Sequence, residues 1–182
     1  MLEPIAASLA AGVASLGPDT LLMVDPNCRP SVIPDRDAYL ARLSTILARA
    51  DVVKVSADDL AYIAPGRPAR EGARSLLDSG VTLILVTDGA RAVWLVEREF
   101  EMELSVPPVQ VVDTVGSGDA FGGAFLAWWA EANLADDSRR THLRDQAAVE
   151  TAARRAIHVA SLTCERPGAD PPTRAQAGWP AG

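Results

Sequence analysis

Two carboxylates bracket a pair of glycines in Asp113-Thr114-Val115-Gly116-Ser117-Gly118-Asp119, and an apolar run from Ala120 to Ala130 follows without a break. With the apolar pair Val111-Val112 ahead of it, the stretch reads as strand, tight loop and buried helix. The first N–H groups of a helix lack intrahelical partners and the peptide dipoles add partial positive charge there, so such a loop suits an anion, phosphate above all. Gly116 and Gly118 carry no Cβ, which lets the backbone bend tightly and approach a ligand. Asp119 would repel a phosphate that merely rested on the loop. Beside an incoming hydroxyl it can instead accept the proton while the N–H groups stabilise charge on a transferring phosphoryl group. The plainer role for Asp119 is a helix N-cap. The same glycines, with Gly122, also approach a dinucleotide fingerprint, which would make the chain a Rossmann-type oxidoreductase; that loop belongs to an early βαβ unit with an acid about 20 residues on, whereas here it lies late and helical sequence follows.

The elements that must position this loop alternate along the chain. Ile5 to Leu16 has helical spacing and stops at Gly17-Pro18; Leu21 to Val24 is a short apolar strand ending in Asp25-Pro26-Asn27-Cys28-Arg29-Pro30. Asp35 caps a helix whose apolar face is Tyr39, Leu40, Leu43, Ile46 and Leu47. Asp51 to Val55 is a strand, and Ser56 to Asp59 has Ser-x-x-Asp capping spacing. A helix over 68–79 leads to a strand over 81–86 and the turn Thr87-Asp88-Gly89-Ala90-Arg91-Ala92; a hairpin over 93–106, the helix Ala120 to Ala132, a charged solvated loop over 135–144 and the helix Gln146 to Leu162 complete the chain. This predicts an α/β fold with a mostly parallel sheet and flanking helices. Polar turns after Val24, Val55, Val86 and Val112 then fall at the carboxyl ends of strands, where such sheets bind ligands. Trp128 and Trp129 are adjacent, cannot share a helix face, and read as packing.

Bulk properties narrow the chemistry. At 182 residues and 48% hydrophobic content the chain can bury a sizeable core, and a net charge of −7 argues against nucleic acid. No apolar run reaches the ~20 residues of a membrane span and no secretory signal is evident, which predicts a cytoplasmic protein with no membrane partner. Cys28 and Cys164 lack zinc-site spacing and read as free thiols; His142 and His158 are too few for a histidine metal cluster.

The string Asp113 to Phe121 resembles the D-T-x-G-A-G-D-A-F signature of the ribokinase-like, phosphofructokinase-B (PfkB) carbohydrate kinases, with Ser117 in place of alanine. The resemblance implies an ATP-dependent transferase with Asp119 as catalytic base and the backbone of Gly116, Ser117 and Gly118 as anion hole. Asp25, Asn27 and Arg29 resemble the D-P-N-x-R motif of the fructokinase and ketodeoxygluconate-kinase branch, where the guanidinium of Arg29 could meet a phosphate or an acidic substrate group; a solvated ion pair is the plainer role. Val53 to Leu60 is similar to the K-x-N-x-x-E stretch that orders magnesium, with Ser56 for asparagine and Asp59 for glutamate; the shorter Asp59 implies contact through water. Thr87 and Gly89 match the T-x-G-x-x-G turn that holds ATP phosphates, with Ala92 at the second glycine, a strained place for alanine if φ must be positive. Cys164 to Thr173 resembles the family's closing turn beside adenine and a monovalent cation, which puts Ile157 and His158 near adenine and Asp113 near potassium.

The resemblance corresponds to the C-terminal part of the family fold, residues 1–175, with a disordered tail over 176–182. The N-terminal strands, the sugar-binding glycine signature and the lid are not recognisable before Ile5, and Leu2-Glu3-Pro4 reads as the interior of a longer kinase. A sheet without those strands would expose apolar surface and favour association, as in a homodimer. The implied substrate is a small sugar or sugar acid, with fructose or a keto-sugar acid favoured by the Asp25–Arg29 motif. The alternative is a non-catalytic nucleotide-binding fragment that needs a partner.

Overall fold

Strands buried on both faces become near-continuous apolar runs, and β2 (Val52–Ser56) and β3 (Leu83–Asp88) are of this kind: Val52, Val53, Val55 and Leu83 to Val86 are wholly removed from solvent. The computed structural model describes residues 5–132 and 140–179. The chain divides into two units, Met1–Thr87 with Trp94–Met102 and Asp88–Val93 with Glu103–Gly182. All five strands have residues in the first unit and form one sheet in the order β1-β2-β3-β4-β5, where β1 is Met23–Val24, β4 Ala92–Val96 and β5 Glu101–Ser105. β1, β2 and β3 run parallel, with Val24 opposite Val53 and Ser56 opposite Thr87, so their carboxyl ends share one edge. The links from β3 to β4 and β4 to β5 are too short for a crossover and make that side of the sheet antiparallel.

In the first unit, α1 (Ile5–Ala14), α2 (Arg36–Leu47), α3 (Ala57–Ile63) and α4 (Ala69–Leu77) accompany the strands. α2 starts where the sequence predicts: Asp35 Oδ1 accepts the Ala38 N–H at 2.9 Å, and Tyr39, Leu43, Ile46 and Leu47 are buried. Tyr39, Leu43 and Leu47 join Val53, Val55, Leu60, Leu76, Ile84 and Val86 in one core. Asp35→Ala should therefore cost about 1 kcal/mol, read as a lower urea midpoint with an unchanged slope.

The second unit is built on α5 (Ser117–Ala132) and α6 (Gln146–Cys164), which pack together. Asp145 caps α6 by accepting the N–H groups of Ala147 and Ala148. Small residues Ala152, Ala153 and Ala156 face inward on α6, while Phe125 and Trp129 stack with centroids 5.7 Å apart. Trp128 stays half-buried, as its adjacency to Trp129 requires.

Some local expectations change. Val111-Val112 forms no strand: the N–H groups of Val112 and Asp113 both donate to the Cys164 carbonyl, at 2.8 and 3.2 Å, and both valines are exposed. Pro107-Pro108 just upstream cannot donate to a ladder, which keeps this segment out of the sheet. β1 is shorter than Leu21 to Val24, because the Leu22 N–H turns to the Asp51 carboxylate at 2.8 Å. At the C-terminus, where a disordered tail is expected from Gln176, residues 174–178 form a turn with Ala177 buried; residues 180–182, and 135–139 of the charged loop over 135–144, lie outside the described residues, while Thr141–Arg144 of that loop is a 3₁₀ turn with Leu143 buried rather than solvated.

Candidate active site

The loop ahead of α5 is fixed by its fit to the turn at 168–169. Gly116 has φ +77°, and a Cβ there would lie 2.6 Å from the Ala169 Cβ and 3.0 Å from its Cα. Asp113 joins the same two segments, Oδ1 accepting the Val115 N–H at 3.0 Å and Oδ2 the Gly168 N–H at 2.9 Å. Those bonds hold its carboxyl below the usual carboxylate range. A depressed folded-state pKa contributes stability above the unfolded value of about 4 and loses it as pH falls through the folded value. Asp113→Asn should accordingly flatten the acid limb of a stability–pH profile of this unit.

Ser117 opens α5, and its hydroxyl donates to the Thr114 carbonyl at 2.9 Å. Gly118 and Asp119 follow in the first turn, where N–H groups have no intrahelical acceptor. Asp119 therefore lies inside the helix and is not its N-cap. Its side chain is exposed at a groove of about 430 Å³ that is otherwise lined mainly by small and apolar residues, among them Gly116, Gly123, Ala169 and Trp179. That volume lies within the range of small-molecule sites, roughly 300–1,000 Å³.

One side of this groove was not legible in the sequence. Arg174 pairs with Glu131 on α5, the Trp179 Nε1–H donates to Glu131 Oε2 at 3.2 Å, and the Arg174 guanidinium sits 5.6 Å from the centre of the Trp179 ring. This strap holds residues 173–179 against α5. α6 contributes Val159 to the groove, while Ile157 is buried and His158 exposed outside the described lining.

In the first unit, the carboxyl end of β1 carries Asp25, Asn27 and Arg29. Asn27 adopts φ +44° and donates its N–H to Asp25 Oδ1 at 3.1 Å, an Asx turn that asparagine tolerates better than most residues. Asn27 and Arg29 are exposed, and Arg29 Nη1 donates to the Cys28 carbonyl at 2.9 Å. Asp59 is buried: Oδ1 accepts the Cys28 N–H at 2.7 Å, and Oδ2 accepts the Ser56 N–H at 3.2 Å and hydroxyl at 2.7 Å. Ser56 Oγ in turn accepts the Asp59 N–H, completing a reciprocal capping box on α3. Three protein donors sit on its carboxylate, two on Oδ2 and one on Oδ1, so a single lone pair on Oδ1 is left, enough to accept a metal-bound water but not to coordinate a metal ion through both oxygens; among the described residues no group of His, Cys, Asp and Glu forms a metal cluster. Ser56→Ala should cost α3 about 1 kcal/mol, measured by chemical denaturation.

Thr87 lies near the end of β3, half-buried, and Gly89 takes φ +54° in the turn that follows. Arg91 grips the Asp88 carboxylate across that turn. Ala92 begins β4 and is absent from the positive-φ positions, so the strain expected there does not arise.

A family model described as pfkB family carbohydrate kinase matches residues 8–176. The chain belongs to that family. This membership removes the dinucleotide-oxidoreductase reading of the glycines. The pfkB chain is 32% identical to a fructokinase from Rhizobium leguminosarum bv. trifolii over 127 residues, 70% of this chain and 39% of that protein. It is 30% identical to fructokinase-2 of Solanum lycopersicum over 181 residues, 97% of this chain and 53% of that protein. A fructokinase from Xylella fastidiosa, solved with bound ATP, superposes with TM-score 0.81 at 30% identity, covering 92% of this chain and 53% of that one. A fructokinase from Vibrio cholerae O395, solved with fructose, ADP and calcium ion, gives TM-score 0.78 at 27% identity, covering 92% and 52%. This pfkB chain thus has the ribokinase-like fold and spans about half or less of the length of these relatives. Among its described residues no helix is long and apolar enough to cross a membrane.

Proposed function

We propose that this chain is the catalytic, C-terminal part of an ATP-dependent sugar kinase, residues 1–175 of it belonging to the kinase domain. The observation that carries the reading is Asp119: an exposed carboxylate in the first turn of a helix, beside a glycine loop fixed against Ala169, at a groove of small-molecule size. In this reading Asp119 takes the proton of a sugar hydroxyl, and the N–H groups of the Gly116–Gly118 loop stabilise charge on the phosphoryl group that moves to it. Thr87 and Gly89 bind the nucleotide phosphates, with Ile157 and His158 on the adenine side. Asn27 and Arg29 face the substrate or its phosphate, on the turn that carries Asp25. Fructose or a keto-sugar acid is the substrate class favoured by that motif, and the Vibrio relative was solved with fructose.

Magnesium comes with ATP, bound through its phosphates, and Asp59 meets it only through water, by the one lone pair left on Oδ1. Asp113 is compatible with potassium, since its ionised oxygens each accept one N–H and retain a second lone pair. The free thiols Cys28 and Cys164 accord with a reducing, cytoplasmic setting.

A second reading is a non-catalytic nucleotide-binding fragment that turns over only with a partner polypeptide supplying the missing half; a homodimer of the chain belongs to either reading. In the first unit Ile5 is 68% and Leu9 45% exposed, and in the second Val111, Val112 and Val115 each exceed half exposure. Such surface favours association. A coupled ADP-release assay with ATP, magnesium, potassium and a sugar panel headed by fructose, ribose and ketodeoxygluconate separates the two readings. Sugar-dependent release by the purified chain supports the first; release only when a polypeptide supplying the N-terminal part of the family fold is added supports the second. No release in either case refutes the kinase.

A further inference from the structure

The turn from Asp25 to Arg29 is held from three sides. Lys54 on β2 donates from Nζ to Asp25 Oδ2 at 2.8 Å, Tyr39 on α2 donates its hydroxyl proton to the Pro26 carbonyl at 3.0 Å, and Asp59 on α3 accepts the Cys28 N–H at 2.7 Å. All three side chains are buried, at 6%, 3% and 5% residue exposure. A buried polar group is costly unless paired, and three such groups from three elements converge on one short loop. Asn27 takes φ +44°, which asparagine adopts more readily than most side chains, and it and Arg29 are the exposed residues of the turn. Both stand at the shared carboxyl edge of the parallel strands.

We propose that Tyr39, Lys54 and Asp59 are positioning residues that fix this turn so that the Asn27 amide and the Arg29 guanidinium meet one phosphate group. The assignment rests on the kinase reading and gives Asp59 a structural task beside any water-mediated contact with magnesium. The Cys28 N–H and the Ser56 capping box are both met from a two-bond reach off the α3 backbone. Glutamate at 59 could still close the capping box, but its extra methylene would shift the carboxylate off the Cys28 N–H.

The test is a titration of the whole chain with inorganic phosphate, using Asp59→Asn, Asp59→Glu, Tyr39→Phe, Arg29→Ala and the Asp59→Asn/Arg29→Ala pair. Each clamp variant and Arg29→Ala should weaken phosphate binding about tenfold, the scale of one lost hydrogen bond to a charged group. The double variant should lose clearly less than the product of the two single losses, because Asp59 acts through Arg29 and Asn27 and the Arg29 share is already gone. In a Cys164→Ser background, labelling of Cys28 by a thiol reagent should accelerate in the clamp variants, since loosening the turn lifts this residue out of the core. Tyr39→Phe removes one hydroxyl and keeps the ring, so it decides the matter if Asp59→Asn fails to fold. The proposal is overturned if the wild-type chain does not bind phosphate, if it prefers acetate, if Asp59→Glu binds like wild type, or if the two losses multiply. None of these outcomes requires turnover, so they stand apart from the ADP-release result on Asp119.

Discussion

Asp119→Asn should abolish sugar-dependent ADP release by a factor of about 10²–10⁴, the usual contribution of a positioned general base, with ATP binding left nearly intact. The substitution keeps the size of the side chain and its place in the first turn of α5 and removes only the capacity to take a proton. Because Asp119 is exposed at a groove and buried against nothing, the variant should melt close to the wild type. That combination separates chemistry from folding. An N-cap role would predict the reverse, lost stability with turnover preserved, and the position of Asp119 inside the helix already disfavours it. The measurement is the coupled assay in whichever form of the kinase turns over, alongside a calorimetric titration with ATP. Turnover equal to wild type would remove Asp119 from the mechanism.

Gly116→Ala should be the most damaging conservative change in the second unit. The new methyl would sit 2.6 Å from the Ala169 Cβ and 3.0 Å from its Cα, and a backbone contact cannot swing aside as a flexible side chain can. Positive φ adds roughly 1–2 kcal/mol for a residue with a Cβ, and overpacking typically adds about 1–3 kcal/mol, so a loss of about 2–5 kcal/mol in unfolding free energy is expected. The loop and the 168–169 turn must separate to make room, which also breaks the Asp113 bond to the Gly168 N–H. ATP binding and turnover should therefore both fall, unlike in Asp119→Asn. Gly123→Ala is the control: a methyl added there would meet nothing within 4 Å, so it should fold normally.

What the sequence disclosed is mostly local. Asp35 before an apolar-periodic helix and the Ser56–Asp59 spacing each act through neighbours within four residues, and each reappears in the fold as a helix cap. Contacts between distant residues were not legible. Lys54 meets Asp25 and Asp59 meets the Cys28 N–H across some thirty residues of chain, and neither pairing leaves a spacing signal. One clue was present: a lysine in the otherwise apolar run Val52 to Val55 must find a partner if the strand is buried. Val111-Val112 misled because apolar character alone does not make a strand when the N–H groups have a nearer acceptor, here Cys164. Trp179 was hidden by its neighbours, since proline, glycine and alanine around it resemble a tail until Glu131 is seen to receive its indole N–H.

The strap over α5 also turns the protein into its own optical probe. Trp129 is sealed in the core, whereas Trp179 lines the groove beside Asp119 with a cation over its ring. Any ligand that expels water from the groove changes the polarity around that indole, and its emission moves to shorter wavelength while that of Trp129 stays fixed. Occupancy of the groove is then readable by fluorescence in the unlabelled chain, and Trp179→Phe would silence the signal.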